Sequence, residues 1–265
     1  MSRAHLWDTV KVDAGIKQPF VLRPTPAPLP LRFLVGASRA IGKMPTKFFK
    51  SQLRIDCNER IVEIPFVLQN LLSTAGMTIL DFGCAESVLP IYLATQGAQV
   101  VGVDLREYDF EHPNFRFCKG DFLNNDFSDA YFDAVVAVSS VEHVGLNVYG
   151  SRAYESGDNK VVREFRRVLK SGGVLILTVP FGKRYVDEEL RVYDSQLLTE
   201  LTDGFVNTKR KFYRRAVEGT HWLESSEEEC SESGVHPVTG VAGVACLVCK
   251  KGDQSGKIDR PLQSG

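Results

Sequence analysis

The chain has 265 residues, 43 % of them apolar and 25 % charged, which is enough for one substantial core with extensions and too apolar for wholesale disorder. Lysine plus arginine total 32 and aspartate plus glutamate 33, for a formal net charge of -1, which argues against a chain-wide polycation built for nucleic acid. No apolar stretch approaches the roughly 18 residues that span a membrane, the first residues lack the apolar segment of a secretion signal, and six scattered cysteines point to a reducing, cytoplasmic compartment.

Residues 1–54 hold ten basic residues and two acidic ones, Asp8 and Asp13, and contain RPTPAPLP at 23–30. Alternating proline favours an extended wrap, so this segment reads as an arm laid over the main domain. The main domain begins near Ile55. Residues 59–75 read as a helix, with Pro65 marking a kink or a start. MTILDF at 77–82 is a short apolar strand, SVLPIYLATQGA a helix stopped by Gly97, and QVVGVDL at 99–105 a second strand. FRFCKGD at 115–121 and YFDAVVAVSS at 131–140 are the third and fourth. Residues 159–173 place Val161, Val162, Phe165, Val168 and Leu169 on one helical stripe with glycine at the end. VLILTVP at 174–180 is the fifth strand. This alternation predicts a buried parallel sheet with helices on both faces. The last third departs from it. A helix at 195–204 precedes strands at 205–216 and 241–251, which read as an antiparallel hairpin. Between them, 221–237 carries five glutamates from Glu224 to Glu232 and reads as an acidic, solvated insertion. Residues 252–265 form a polar tail. The expected architecture is Rossmann-like α/β, a seven-stranded, mostly parallel sheet with one antiparallel strand near its edge.

The chemistry concentrates at DFGCAES, residues 81–87, which follows the first strand and opens a helix. Gly83 permits a sharp turn, and small Ala85 and Ser87 permit close approach of a ligand. Asp104 ends the second strand, where a carboxylate can accept both hydrogen bonds of a ribose diol. These features fit NAD, FAD or an adenosyl cofactor alike. The incomplete G-x-G-x-x-G pattern lowers the dinucleotide reading.

From about Ile79 to Pro180 the chain resembles the class I S-adenosylmethionine-dependent methyltransferases. The resemblance rests on DFGCAES, GVDLR, KGDF, FDAVVAVSSVEHVG and RRVLKSGGVLILTVP together, and the late hairpin extends it. Ala85 and Ser87 stand where many members carry glycine. The resemblance implies that S-adenosylmethionine is the cofactor. Asp81 and the Gly83–Cys84–Ala85 backbone then approach its methionine portion, Asp104 holds the ribose, Leu105 flanks adenine, and Asp121 receives the adenine amino group with Phe122 beside the ring. Ser139 and Ser140 lie at the fourth strand's edge. Asp121 as a helix cap, Phe122 as core and Cys84 as a thiol activated by a helix N-terminus are the alternative readings.

A methyl sulfonium is already an activated electrophile, so the protein must align a nucleophile, exclude water and, for an alcohol, remove a proton. His143, following the fourth strand beside Glu142, is the candidate base, with Asp158 as the alternative. Tyr149, Arg152, Tyr154 and Asp158 in the loop 145–160, with Arg191 and Tyr193 in RVYD, have the hydrogen-bonding capacity that a polyhydroxylated acceptor needs. VEHVGLNVYG, PFG and RVYD also resemble a bacterial subgroup of sugar- and surface-polysaccharide-modifying enzymes. The expected reaction is therefore O-methylation of a sugar or another polar hydroxylated metabolite, lipid-linked or nucleotide-linked, reached in the cytoplasm or at a membrane surface. The alternatives are N-methylation of a small molecule, nucleic-acid or protein methylation through the basic arm and KRKFYRR at 209–215, and a noncatalytic adenosyl-binding protein. Magnesium would draw on Asp158, Glu142 and Asp194, but no spacing demonstrates a metal site. Cys246 and Cys249, three apart on a strand, face opposite sides and make no zinc knuckle.

Overall fold

The computed structural model describes residues 23–24, 55–56, 58–85, 87–149, 156–216, 221–236 and 240–252. The arm therefore lies outside the described residues except where β1 (Arg23–Pro24) pairs antiparallel with β2 (Ile55–Asp56). Cys57 and the tail beyond Gly252 also lie outside them. Helix α1 (Arg60–Asn70) follows, with Pro65 inside it rather than at its start. It ends before the expected Ala75.

Then come β3 (Thr78–Phe82), α2 (Leu89–Thr95), β4 (Gln99–Asp104), β5 (Phe115–Lys119) and β6 (Phe132–Val138). Helix α3 (Gly157–Val168) leads directly into β7 (Leu169–Pro180). The short hairpin of β8 (Tyr185–Val186) and β9 (Arg191–Val192) is followed by α4 (Ser195–Leu201), β10 (Phe205–Arg215), β11 (Trp222–Ser225) and α5 (Glu227–Ser231). A second small hairpin, β12 (Val235–His236) with β13 (Gly240–Val241), precedes β14 (Gly243–Lys251).

Eight strands form the central sheet in the order β11-β10-β14-β7-β6-β3-β4-β5. Strands β3 to β7 are mutually parallel, whereas β14 is antiparallel to both of its neighbours and β11 is antiparallel to β10. The expected seven strands with one antiparallel member become eight with two. The extra one, β11, comes from the segment read as a solvated insertion. Trp222 is buried there, Glu224 pairs with Lys211, and Glu227 approaches Arg210 at 4.0 Å. Glutamates that look like a loop in isolation become the partners of the basic run on β10.

Period-two alternation sorts the strands' side chains onto two cores. Leu80, Val135, Ala137, Leu175 and Leu177 pack with Val161, Val162, Phe165 and Leu198 on the face covered by α3 and α4. Ile79, Ala134, Val136 and Ile176 pack with Phe66, Val67, Leu89 and Leu93 on the face covered by α1 and α2. Cys249 lies in the first core and Cys246 in the second, on opposite faces as their spacing predicts. The α3 stripe is buried as expected, but the helix stops at Val168, five residues before Gly173. A Cβ on Gly173 would lie 2.8 Å from the Lys170 carbonyl and 3.1 Å from that of Asp133. These glycines thus serve a bulged, closely approached strand rather than a helix cap.

Among the described residues no helix is long and apolar enough to cross a membrane. Phe165 is fully buried, edge-on to Phe82 at 5.1 Å and 5.4 Å from Phe122. Phe165→Ala is expected to lower the unfolding free energy by about 3–5 kcal/mol, seen as a lower urea midpoint at an unchanged slope.

Candidate functional site

From β3 the chain winds outward through β4 to β5, then returns to place β6 on the other side of β3. A crevice opens at such a switch point, at the carboxyl ends of β3 and β6. Gly83 occupies the turn after β3 with φ +76°, and its N–H donates to the Val103 carbonyl at 2.8 Å. A Cβ there would lie 2.3 Å from Ser140 Oγ. The turn therefore requires glycine both for its backbone and for the approach of the β6 exit. Asp104, at the end of β4, accepts from the Ala85 N–H at 2.9 Å and from the Arg106 N–H at 2.9 Å, and its Oδ1 lies 3.2 Å from Arg106 Nε. Both carboxylate oxygens are thus held in place by the chain itself. Arg106, absent from the sequence reading, is the residue a ribose diol would share Asp104 with.

Three buried carboxyl groups surround one guanidinium beneath this turn. Glu63 pairs with Arg60 at 2.7 Å and accepts from Ser139 Oγ at 2.5 Å. Asp81 is 3 % exposed, and its Oδ2 has no hydrogen-bond partner. Burial pushes its pKa up to about 8, against the pull of Arg60 and with help from Asp104. Glu142 is likewise buried with Oε2 unpartnered, and burial, reinforced by Glu63, takes it up to about 8. An α-amino acid group fits these surroundings, because its ammonium supplies the donor that Asp81 lacks. The glycine turn beside it leaves backbone accessible. Sequence reasoning missed Arg60 and Glu63. Their signal was an i,i+3 ion pair on a helix whose neighbouring residues, Phe66 and Val67, are core.

His143 ends a single turn of 3-10 helix (Val141–His143) and lines a cavity of about 520 Å³ with Asn147, Val148, Tyr149, Glu189 and Leu190. Its Nδ1 lies 2.5 Å from the Glu189 carbonyl, and its Nε2 lies 3.9 Å from Glu142 Oε1. Burial, with the charges of Arg60 and Arg106, holds the imidazole below its ordinary pKa, against the Glu189 carbonyl. Tyr149 stands edge-on to His143 at 5.5 Å, and the Arg106 guanidinium lies 4.3 Å over the Tyr149 ring. Cofactor side and cavity are therefore in physical contact through Arg106.

Several expected residues sit elsewhere. Cys84 is buried five residues before α2 begins, so its thiol is not activated by that helix, and burial raises its pKa. Leu105 is half-buried beside Asp104. Asp121 is exposed and caps the 3-10 turn Phe122–Asn124 by accepting from the Leu123 N–H at 3.0 Å. Phe122 is 2 % exposed and packs on Phe82, Phe127 and Phe165. Tyr193 and Asp158 are buried, hydrogen-bonded to each other at 3.0 Å, and Arg191 pairs with Asp158 at 3.4 Å. These three, expected at the acceptor, do not line the cavity, because each satisfies another's buried polar group. Asp194 caps α4 and pairs with Arg184 at 2.8 Å, so it is not gathered with Asp158 and Glu142. No group of metal-ligating side chains occurs among the described residues. Arg152 and Tyr154 lie outside them.

Asp81 titrates at 3.8 when unperturbed and at about 8 in the fold. Between those values the folded chain holds a proton that the unfolded chain has released, so this group's contribution to stability falls as pH rises. Asp81→Asn has no such proton. Its urea midpoint relative to wild type is expected to climb from about pH 5 to about pH 8. A flat or falling difference would place an ionised Asp81 in the fold.

Residues 80–177 match the family model described as a methyltransferase domain. The S-adenosyl-L-methionine-dependent Diels-Alderase iccD of Talaromyces variabilis is 24 % identical over 182 residues, covering 66 % of this chain and 62 % of that protein. The O-antigen chain terminator bifunctional methyltransferase/kinase WbdD of Escherichia coli is 28 % identical over 133 residues, covering 46 % of this chain and 18 % of that protein. The chain thus spans less than two thirds of the length of either relative. Among solved structures, the cyclase SpnF superposes with a TM-score of 0.50 at 18 % identity, covering 71 % of this chain and 79 % of that one, which speaks for the fold alone. With the switch-point crevice and the glycine turn, these matches identify a class I S-adenosylmethionine-dependent methyltransferase domain in this chain.

Proposed function

We propose that the chain is an S-adenosylmethionine-dependent O-methyltransferase acting on a sugar or another small, polar, hydroxylated acceptor, with His143 as general base. The observation that carries this reading is the orientation of His143. A carbonyl at Nδ1 fixes the N–H there, so the lone pair resides on Nε2. A depressed pKa keeps that lone pair free at neutral pH. An alcohol needs such a group, because its proton must leave as the oxygen attacks.

The bound cofactor supplies a methyl group on a sulfonium, already electrophilic. The residues of this chain bind and orient. Asp81 and the Gly83–Ala85 backbone take the amino-acid end, Arg60 offers a cation beside it, and Asp104 with Leu105 takes the ribose. Ser139 forms the wall toward β6. Asn147, Tyr149 and Glu189 offer hydrogen-bonding groups to an acceptor, and Val148 and Leu190 offer apolar contact. The likeness to WbdD, an O-antigen chain terminator by name, favours a glycan-related acceptor; the lipid-linked or nucleotide-linked form, met in the cytoplasm or at a membrane surface, is part of the proposal. The basic run at 209–215 lends little to a nucleic-acid reading. Lys211 is paired to Glu224, Arg215 lies over Trp222, and Lys209 donates to Asn70 at 3.1 Å. A second reading follows from iccD and SpnF, which are named as cyclising catalysts. It holds that the domain binds the cofactor without transferring its methyl group.

One substitution tests the cofactor site that both readings share, and a screen with a second substitution separates them. Asp104→Ala is expected to weaken S-adenosylhomocysteine about 5- to 150-fold by calorimetry, and unchanged affinity in a folded variant would move the ribose elsewhere. A screen with isotopically labelled methyl donor against sugars, nucleotide sugars, amines, RNA and protein should label a hydroxylated small molecule. On that acceptor, His143→Ala should lower turnover by roughly 10²- to 10⁴-fold while cofactor binding barely changes. Tight cofactor binding with no labelled product across the panel would favour the second reading.

A further inference from the structure

We propose that Arg191, Asp158 and Tyr193 form a buried brace that fixes the orientation of His143, acting as positioning residues from outside the acceptor cavity. The proposal deepens the general-base reading and rests on it for its catalytic meaning.

The histidine stands on a turn with little rigidity of its own. That turn is three residues long, closed by His143 N–H to the Ser140 carbonyl at 3.3 Å and Val144 N–H to that of Val141 at 3.0 Å. Such a piece has no ladder of helical bonds to resist rotation. Arg191 supplies the resistance. Its Nη1 lies 3.3 Å from the Glu142 carbonyl and 3.4 Å from that of Val144, the carbonyls on either side of His143. The same nitrogen lies 3.4 Å from Asp158 Oδ2, and Tyr193 donates its hydroxyl to that oxygen at 3.0 Å. Arg191 is 13 % exposed at its side chain and Asp158 7 %, so solvent offers little to replace these partners.

Two further contacts join this set to the imidazole. Glu189, which accepts from the ring, lies two residues before Arg191 on the same hairpin. Gly157, immediately before Asp158, presses the start of α3 onto the turn's exit, since a Cβ there would lie 2.7 Å from Gly145 Cα and 2.8 Å from the Val144 carbonyl carbon. A buried ion pair is by itself weak evidence of stabilisation. Here one guanidinium bonds both carbonyls flanking a single residue, while its own hairpin holds that residue's ring. The arrangement serves the direction of Nε2.

The test reads the His143 tautomer by nitrogen-15 NMR of the full chain, with the resonance assigned among five histidines by its loss in His143→Gln. The tautomer is the readout because the ring's pKa also answers to Arg60, Arg106, Asp187 and Glu189, with Glu142 3.9 Å away. Wild type is expected to show one form, protonated at Nδ1. Arg191→Met should give a mixture of both tautomers while S-adenosylhomocysteine affinity stays within about twofold, and Arg191→Lys should recover only part of the wild-type signal. Tyr193→Phe, which removes one hydroxyl and no charge, should move the signal the same way and serves if Arg191→Met does not fold. On an identified acceptor, turnover of Arg191→Met should fall roughly 10- to 100-fold at nearly constant KM. A wild-type tautomer in both Arg191→Met and Tyr193→Phe overturns the brace. Wild-type turnover in His143→Ala would instead overturn the base and leave the tautomer result standing.

Discussion

The approach of Gly83 to Ser140 governs the architecture of the site. Two parallel strands, β3 and β6, end side by side, and their exits come closer than any side chain at residue 83 would permit. Everything else near the crevice adapts to that closeness. Asp81 is left inside, two residues before the bend, without a donor for its second oxygen. Ser139 takes a positive φ of 38° as the chain turns away, and its hydroxyl goes to Glu63 on α1. The helix that precedes the first core strand is thereby joined to the exit of the fourth.

Carboxyl groups outnumber cations in this small volume, and burial settles the excess. Asp81 and Glu142 each remain neutral near pH 7, whereas Glu63, in direct contact with Arg60, has a charged partner. The ammonium of an amino acid arriving beside Asp81 would reverse part of that balance. The crevice is therefore held in a protonation state suited to an empty site, and a cationic ligand binds there with release of the proton that Asp81 holds.

The parallel sheet was legible because its strands are short apolar runs between turn residues, a pattern that only a sheet covered on both faces accommodates. The glycine turn and Asp104 were legible as local motifs. What escaped depended on distant partners. Nothing in the run from Trp222 to Glu232 announces a strand, because its glutamates acquire strand-compatible neighbours only when Lys211 and Arg210 lie alongside. Arg191, Asp158 and Tyr193 looked like substrate ligands because polar residues at the binding edge of a sheet usually are. Their mutual satisfaction becomes visible only when α3 and β9 meet. Arg60 and Glu63 drew no reading within the helix expected at 59–75, because no local pattern told which face would be buried.

The added strand β11 also changes how the molecule meets its neighbours. A wide sheet offers two open rows of backbone donors and acceptors, and long apolar edges template the pairing of foreign chains. Here one terminal strand, β11, is four residues long with Glu224 exposed on it, and the other, β5, is five residues long with Arg116 and Lys119 exposed. Short, charged margins discourage edge-to-edge polymerisation. The broad sheet beneath the crevice can thus carry a long apolar interior without inviting fibrous growth.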